Sequence, residues 1–135
     1  MYRLFIVSFI FLIPCSSHGA DVTDYKEWQL FANAAFAICM GQAFSSRLVV
    51  EDAQRTASGY LEYAHMPFAA YLELQNQVER WLNKAYPSKS GGSLQLMKCI
   101  DYYNSGDIRS IYNKYDPCAD RKLWHDAKEY ALRCG

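Results

Sequence analysis

Apolar residues recur every three or four positions along most of the chain, which is the spacing of one face of a helix. The clearest stripe follows Pro67, a residue type that is often found in the first turn of a helix. Comparable stripes predict further helices at about residues 24–44, 50–63, 94–103, 108–115 and 120–132. No segment alternates between apolar and polar residues for long enough to indicate a strand. The pattern therefore predicts an all-α fold, a compact bundle of five to six short helices.

The same stripes predict which face of each helix is buried. Asp24 and Glu27 have capping-box spacing at the start of the first helix. The residues expected to face inward are Trp28, Phe31, Ala35, Ile38 and Cys39 in the first helix, Ala53, Ala57, Tyr60 and Leu61 in the second, Tyr71, Leu74, Val78, Trp81 and Leu82 in the third, Ile108, Ile111, Tyr112 and Tyr115 in the fifth, and Leu123, Trp124, Ala127 and Ala131 in the last.

The first twenty residues have the pattern of a signal peptide. Arg3 precedes an apolar run at 4–13, and Pro14 and several small residues follow it. This apolar-rich run of ten residues is too short to span a bilayer as a helix, which needs about 20. We therefore expect cleavage near Gly19 to Ala20, export, one domain at 21–135, and no membrane association after cleavage.

Four cysteines remain after cleavage, and an even number in an exported chain indicates disulfides. They are Cys39, Cys99, Cys118 and Cys134. Three pairings are possible. Cys118 and Cys134 bracket the last predicted helix and pair most economically with each other, which leaves Cys39 with Cys99. The alternative, a zinc site, is disfavoured because no two of these cysteines have the close spacing that such sites use, so we expect no metal.

Charge and motifs argue against several functions. Removing Arg3 from 14 basic and 14 acidic residues leaves 13 and 14, a net charge of −1, so neither nucleic acid nor an anionic membrane is indicated as a partner. The sequence contains no nucleophile motif, zinc-protease motif or phosphate-binding glycine loop, and we expect no enzymatic activity and no cofactor. One alternative is a secreted hydrolase of the phospholipase A2 type that uses the His125-Asp126 pair, but the calcium-binding glycine loop of that family is not recognisable.

A loop of small residues separates the third and fourth predicted helices, and loops on rigid scaffolds are common binding sites. Its small side chains would fit a narrow cleft, although a plain solvated connection is the other interpretation. The candidate binding residues are Pro87, Ser88, Lys89, Ser90, Gly91, Gly92 and Ser93.

Two segments give the chain a resemblance to a known family. They are Glu51-Asp52-Ala53-x-Arg55-Thr56-Ala57-Ser58-x-Tyr60-Leu61-Glu62 and Leu96-x-Lys98-Cys99-Ile100-Asp101-x-Tyr103-x-Ser105. Together with the placement of Cys39 in the first helix, they resemble the fourth family of type VI secretion amidase immunity proteins, over about residues 24–115. The tail that contains Cys118 and Cys134 lies beyond this resemblance.

The resemblance implies a periplasmic antidote that binds a cognate papain-like amidase, whose cysteine and histidine cut the peptide stems of peptidoglycan. It implies an all-helical homodimer that forms a heterotetramer with two effectors, and a protruding loop, best matched by 86–93, that enters the catalytic groove. It also implies protection of a bacterium from itself and its sister cells. A second contact would come from a helix of the other subunit, for which we select the outward residues Glu51, Asp52, Arg55 and Glu62. The alternative is a periplasmic inhibitor or adaptor for another cell-wall enzyme.

Overall fold

The computed structural model describes residues 21–135, and the predicted signal peptide lies outside them. Within this range there are six α-helices, three short 3-10 turns and no strand, which confirms the predicted all-α class. None of the six helices has the length and apolar character required to cross a membrane. The helices are α1 (Glu27–Ala43), α2 (Arg47–Tyr63), α3 (Phe68–Leu82), α4 (Gln95–Asn104), α5 (Gly106–Tyr115) and α6 (Ala127–Cys134).

Helix α1 lies at the centre of the bundle and packs against α2, α3, α4 and α5. Small residues in α1 allow these helices to approach closely, and Ala34 and Ala35 are completely buried. The core also contains large side chains from α1 and from three of the surrounding helices. These are Phe31 from α1, Tyr71, Leu74 and Val78 from α3, Tyr102 from α4, and Ile108, Ile111 and Tyr112 from α5.

Two disulfides have the predicted pairings. Cys39 of α1 is bonded to Cys99 of α4, and both residues are completely buried. Cys118 is bonded to Cys134 within the C-terminal segment. In the chain-entropy model the first bond, which closes a loop of 60 residues, contributes about 4 kcal/mol, and the shorter second loop about 3 kcal/mol. The first bond fixes α4 against the last third of α1.

The start of α1 differs from the prediction. The helix begins at Glu27, and the Gln29 side chain accepts a hydrogen bond from the Lys26 backbone at 2.8 Å. Asp24 lies in a separate 3-10 turn. The predicted capping box of Asp24 and Glu27 is therefore wrong, because Glu27 is completely buried and accepts the backbone N–H of His65 at 2.5 Å instead.

The buried face of α2 is narrower than predicted. Ala53 and Ala57 are buried and Tyr60 packs against the core, but Leu61 is exposed. Met66, from the connection between α2 and α3, is a buried core residue that follows this end of α2. The prediction for Leu61 was wrong because a helical stripe at the end of an element does not show where the packing partner ends.

The C-terminal segment is not one helix over 120–132. Asp120 and Asp126 each accept a backbone N–H two residues further on, which favours short turns over a continuous helix. The segment forms 3-10 turns at Pro117–Ala119 and Arg121–Leu123, and then α6. Trp124 is buried as predicted, but Leu123, Ala127 and Ala131 are exposed.

Side-chain contacts attach the C-terminal segment to the start of the domain and to the connection between α2 and α3. The Trp124 indole stacks on the His65 ring with centroids 3.7 Å apart and donates to the Pro117 carbonyl at 2.9 Å. The buried Arg133 donates to the Tyr25 carbonyl at 2.6 Å. Lys26 Nζ in turn donates to the Leu132 carbonyl at 2.7 Å. These contacts explain how a segment with little helical periodicity is held in place.

Burial of Glu27 predicts that stability depends on pH. Burial raises the pKa of the Glu27 carboxyl, although the His65 N–H opposes this effect. The folded state therefore retains a proton that the unfolded state loses, and stability falls as pH rises from the ordinary glutamate pKa through the raised one. Glu27→Gln keeps the acceptor for His65 and removes the charge. We expect the free energy of unfolding of Glu27→Gln, relative to that of the unmodified protein, to increase from pH 5 to pH 8.

Chemical denaturation at several pH values measures this difference. Glu129→Gln is the matched control, because Glu129 also faces the His65 ring, at 3.8 Å, but is partly solvated. A difference between Glu27→Gln and the unmodified protein that stays constant across this pH range would contradict the prediction.

Candidate partner-binding site

The predicted binding loop, residues 87–93, connects α3 to α4, and we call it the finger. Six of its seven residues are exposed, and Ser88 is half-buried. The exposed residues include Lys89, the single charged side chain of the finger. The finger is therefore accessible to a partner rather than covered by its own domain.

The tip of the finger is a tight turn. Gly91 and Gly92 have φ values of +79° and +88°, a region that side chains rarely adopt. The Ser88 carbonyl accepts the Gly91 N–H at 3.3 Å, and the Ser88 hydroxyl donates to the Gly91 carbonyl at 2.9 Å. An added Cβ on either glycine would meet no atom within 4 Å. The two glycines are thus required by backbone conformation and not by lack of space.

The stem of the finger is held by α4. The Tyr86 hydroxyl donates to Asp101 Oδ2 at 2.7 Å, and this hydrogen bond raises the pKa of Tyr86. Lys98 is buried, and its Nζ donates to the carbonyl of Leu82, the last residue of α3, at 2.5 Å. Tyr86 was expected at the start of the protruding loop, but these contacts were not predicted from the sequence, because they depend on how α3 and α4 lie together.

The second predicted contact face lies on α2 and is solvated. Arg55 is 4.0 Å from Glu51 and 3.9 Å from Asp52, and Glu62 is exposed. Exposed ion pairs of this kind contribute only about 0.3–0.5 kcal/mol each, so these charges are not needed for the fold. No hydrogen bond or ion pair among residues 21–135 joins this face to the finger.

An apolar groove, which sequence reasoning missed, lies between α1, α2 and α4 and has a volume of about 790 Å³. Leu48, 75% exposed, lies at its α2 side, and Ile100, 44% exposed, at its α4 side. The other large side chains lining it are Phe36, Met40, Val49, Tyr60 and Tyr103. The sequence did contain one indication of this groove, because α4 carries more apolar residues than its one buried face can accommodate. Asp52 of the α2 charged face also lines this groove.

The candidate catalytic pair does not form a helix-borne site. His125 and Asp126 precede α6, and Asp126 is its N-cap, with Oδ1 accepting the Lys128 N–H at 2.7 Å. Across residues 21–135, no three side chains of the types that bind metals are gathered at one place. A helical domain fixed by two disulfides, with an exposed turn and an open apolar groove, belongs to the class of small binding proteins.

Comparison with known proteins identifies the family within this class to which the chain belongs. Residues 29–112, more than half of the chain, match the family model Tai4, described as type VI secretion system amidase immunity protein. The chain therefore belongs to this family, and it is an immunity protein and not an enzyme. A comparison with curated protein sequences gave no match.

Solved structures show the same fold. One is the effector–immunity system Tae4/Tai4 from Salmonella typhimurium, with a TM-score of 0.67 and 26% identity over 72% of this chain and 96% of that chain. Another is the effector–immunity complex Tae4-Tai4 from Enterobacter cloacae, with a TM-score of 0.64 and 24% identity over 70% and 97% of the two chains. The second similarity supports the fold alone.

Proposed function

We propose that this protein is a periplasmic immunity protein that inserts its finger into the Cys-His active-site groove of a cognate type VI secretion peptidoglycan amidase. The cell would thereby be protected from its own effector and from that of sister cells. Family membership supports the class of partner, and the similar Salmonella structure is itself an effector–immunity system. The observation that carries the mode of binding is the exposed glycine turn between two anchored helices.

Obstruction of a cleft requires shape and stiffness but no chemistry in the inhibitor. The small residues of the finger suit a narrow groove, and Lys89 offers a donor at the tip. Because hydrogen bonds within the tip already restrict it, less conformational entropy is lost on docking. These properties fit the proposed role.

Export to the periplasm is part of the proposal. Two disulfides are typical of an oxidising compartment. The signal peptide predicted at residues 1–20 would deliver the chain there, where a peptidoglycan amidase acts.

We further propose that the protein is a homodimer that binds two amidase molecules, with the apolar groove between α1, α2 and α4 as the dimer face. The exposed side chains of Leu48 and Ile100 would be covered by the second copy. The charged face of α2 is the proposed second contact with the amidase, and Asp52 lies at the edge of both surfaces.

A bulky residue in the finger should abolish inhibition. Ser90 is exposed, so Ser90→Trp should leave the free energy of unfolding within about 0.5 kcal/mol of its original value. A finger enlarged in this way would no longer fit the groove. Replacing Gly91 and Gly92 by valine should also abolish inhibition, but by distorting the tip, because β-branched residues do not adopt the positive φ of these two positions. Peptidoglycan cleavage by the proposed cognate papain-like amidase, with each variant added, measures the effect.

Ser110→Trp on α5 is the matched control, since Ser110 is also an exposed serine but is distant in sequence from the finger. It should inhibit normally. Undiminished inhibition by Ser90→Trp would exclude insertion of the finger.

Charge in the groove should separate the dimer. Ile100→Glu or Leu48→Glu places a carboxylate where the second copy would pack, and a buried unpaired charge costs several kcal/mol. Sedimentation at micromolar concentration should show a dimer for the unmodified protein and a monomer for each variant. Leu123→Glu, at an exposed leucine outside the groove, should remain dimeric. A monomeric unmodified protein would contradict the proposed dimer.

A further inference from the structure

Lys98 is an unusual residue for its position, because it is only 6% exposed. Lysine is almost never buried without a polar partner. Its partner is the Leu82 carbonyl, 2.5 Å away, at the C-terminal end of α3 where helix carbonyls lack intrahelical donors. Lys98 thus attaches the end of α3 directly to α4, across the base of the finger.

Tyr86 and Asp101 make a second attachment at the same base. Tyr86 immediately precedes the finger, and its hydroxyl donates to Asp101, 2.7 Å away. Asp101 lies one helical turn after Lys98, so both side chains are on the same side of α4. The Tyr86 ring is also 5.8 Å from Lys98 Nζ, within the range of a cation–π contact.

The other end of the finger is conformationally constrained. Leu94, the N-cap of α4, has φ of +47° and is the single non-glycine residue with positive φ in residues 21–135. A branched side chain in this region is strained and persists only where the surrounding structure fixes the backbone. Both ends of the finger are therefore held in one conformation.

We propose that Tyr86, Lys98 and Asp101 form a stem clasp that fixes the direction of the finger before the partner arrives. They are positioning residues, since they act on the finger's stem and not on the partner. This inference rests on the proposed function of the finger. A preorganised finger loses less freedom on binding, so loss of the clasp should weaken binding of the amidase without removing any contact that the tip makes.

Limited trypsin digestion of the isolated protein tests the clasp without the partner. Lys89 supplies a cleavage site within the finger, and cleavage there requires local opening. Tyr86→Phe should raise the cleavage rate about fivefold to tenfold, the factor associated with one hydrogen bond. Asp101→Leu should have the same effect, whereas Asp101→Asn should restore slow cleavage because its amide oxygen still accepts from Tyr86. Lys98→Met should also raise the rate.

Two control variants match these changes. Tyr115→Phe removes a hydroxyl that donates to Glu73 Oε2 at 3.0 Å, and Lys114→Met removes the lysine that pairs with the same carboxylate at 2.7 Å. Neither should change cleavage after Lys89. Melting temperatures identify any variant with a damaged fold, and Tyr86→Phe tests the clasp even if Lys98→Met does not fold. Unchanged cleavage in both Tyr86→Phe and Asp101→Leu would overturn the clasp.

Binding to the proposed cognate amidase tests the positioning role. The dissociation constant should rise about fivefold to tenfold for Tyr86→Phe and for Asp101→Leu. Asp101→Asn, which keeps the hydrogen-bond acceptor, should bind the amidase as tightly as the unmodified protein does. Unaltered affinity in Tyr86→Phe, with faster cleavage, would overturn the positioning role. A failure of the proposed function would be recognised separately. If Ser90→Trp still inhibits the amidase, inhibition does not depend on the finger.

Discussion

The buried disulfide between Cys39 and Cys99 is the constraint on which the arrangement of the other elements depends. It joins Cys39, in the last third of the central helix α1, to Cys99 of α4, which lies 60 residues further along the sequence. Helix α4 has only 10 residues, and of its side chains only Lys98, Cys99 and Tyr102 are buried, so the disulfide reinforces a small packing surface. Because α4 begins directly after the finger, the same bond determines where the finger leaves the bundle.

This arrangement separates stability from recognition. The core of α1, α3 and α5 needs nothing from the finger, whose residues are exposed, or from the charged face of α2, whose ion pairs are solvated. Under the proposed function, both surfaces could therefore change to match a different amidase without loss of the fold. The apolar groove is different, because exposed apolar side chains such as Leu48 and Ile100 line it, and such surfaces are typical of interaction sites. A dimer would cover these side chains and present two fingers.

Periodicity and cysteine spacing predicted most of the fold, and the reasons for the failures are physical. The buried stripe of α3 was predictable because it depends only on local spacing. Both disulfide pairings were predictable because pairing Cys118 with Cys134 leaves only Cys39 and Cys99. The C-terminal segment was not, because Asp120 and Asp126 favour turns and Trp124 is held by His65 from another part of the chain. The finger was predicted as an exposed loop. Its stem contacts were not, because they arise only from the way in which α3 and α4 lie together.

The central claim is that the finger lies in the catalytic groove of the amidase, and site-specific photocrosslinking tests it most directly. A lysine analogue that carries a small diazirine, and is therefore close to lysine in size, would replace Lys89 at the exposed tip without enlarging the finger, or would replace Asn113 on α5 as a control. The crosslinked amidase peptides would be identified by mass spectrometry. The account predicts crosslinks from position 89 to peptides that contain the amidase's catalytic cysteine or histidine, and none from position 113. Crosslinks from position 89 only to peptides remote from the catalytic groove, in a complex that is still inhibited, would contradict it.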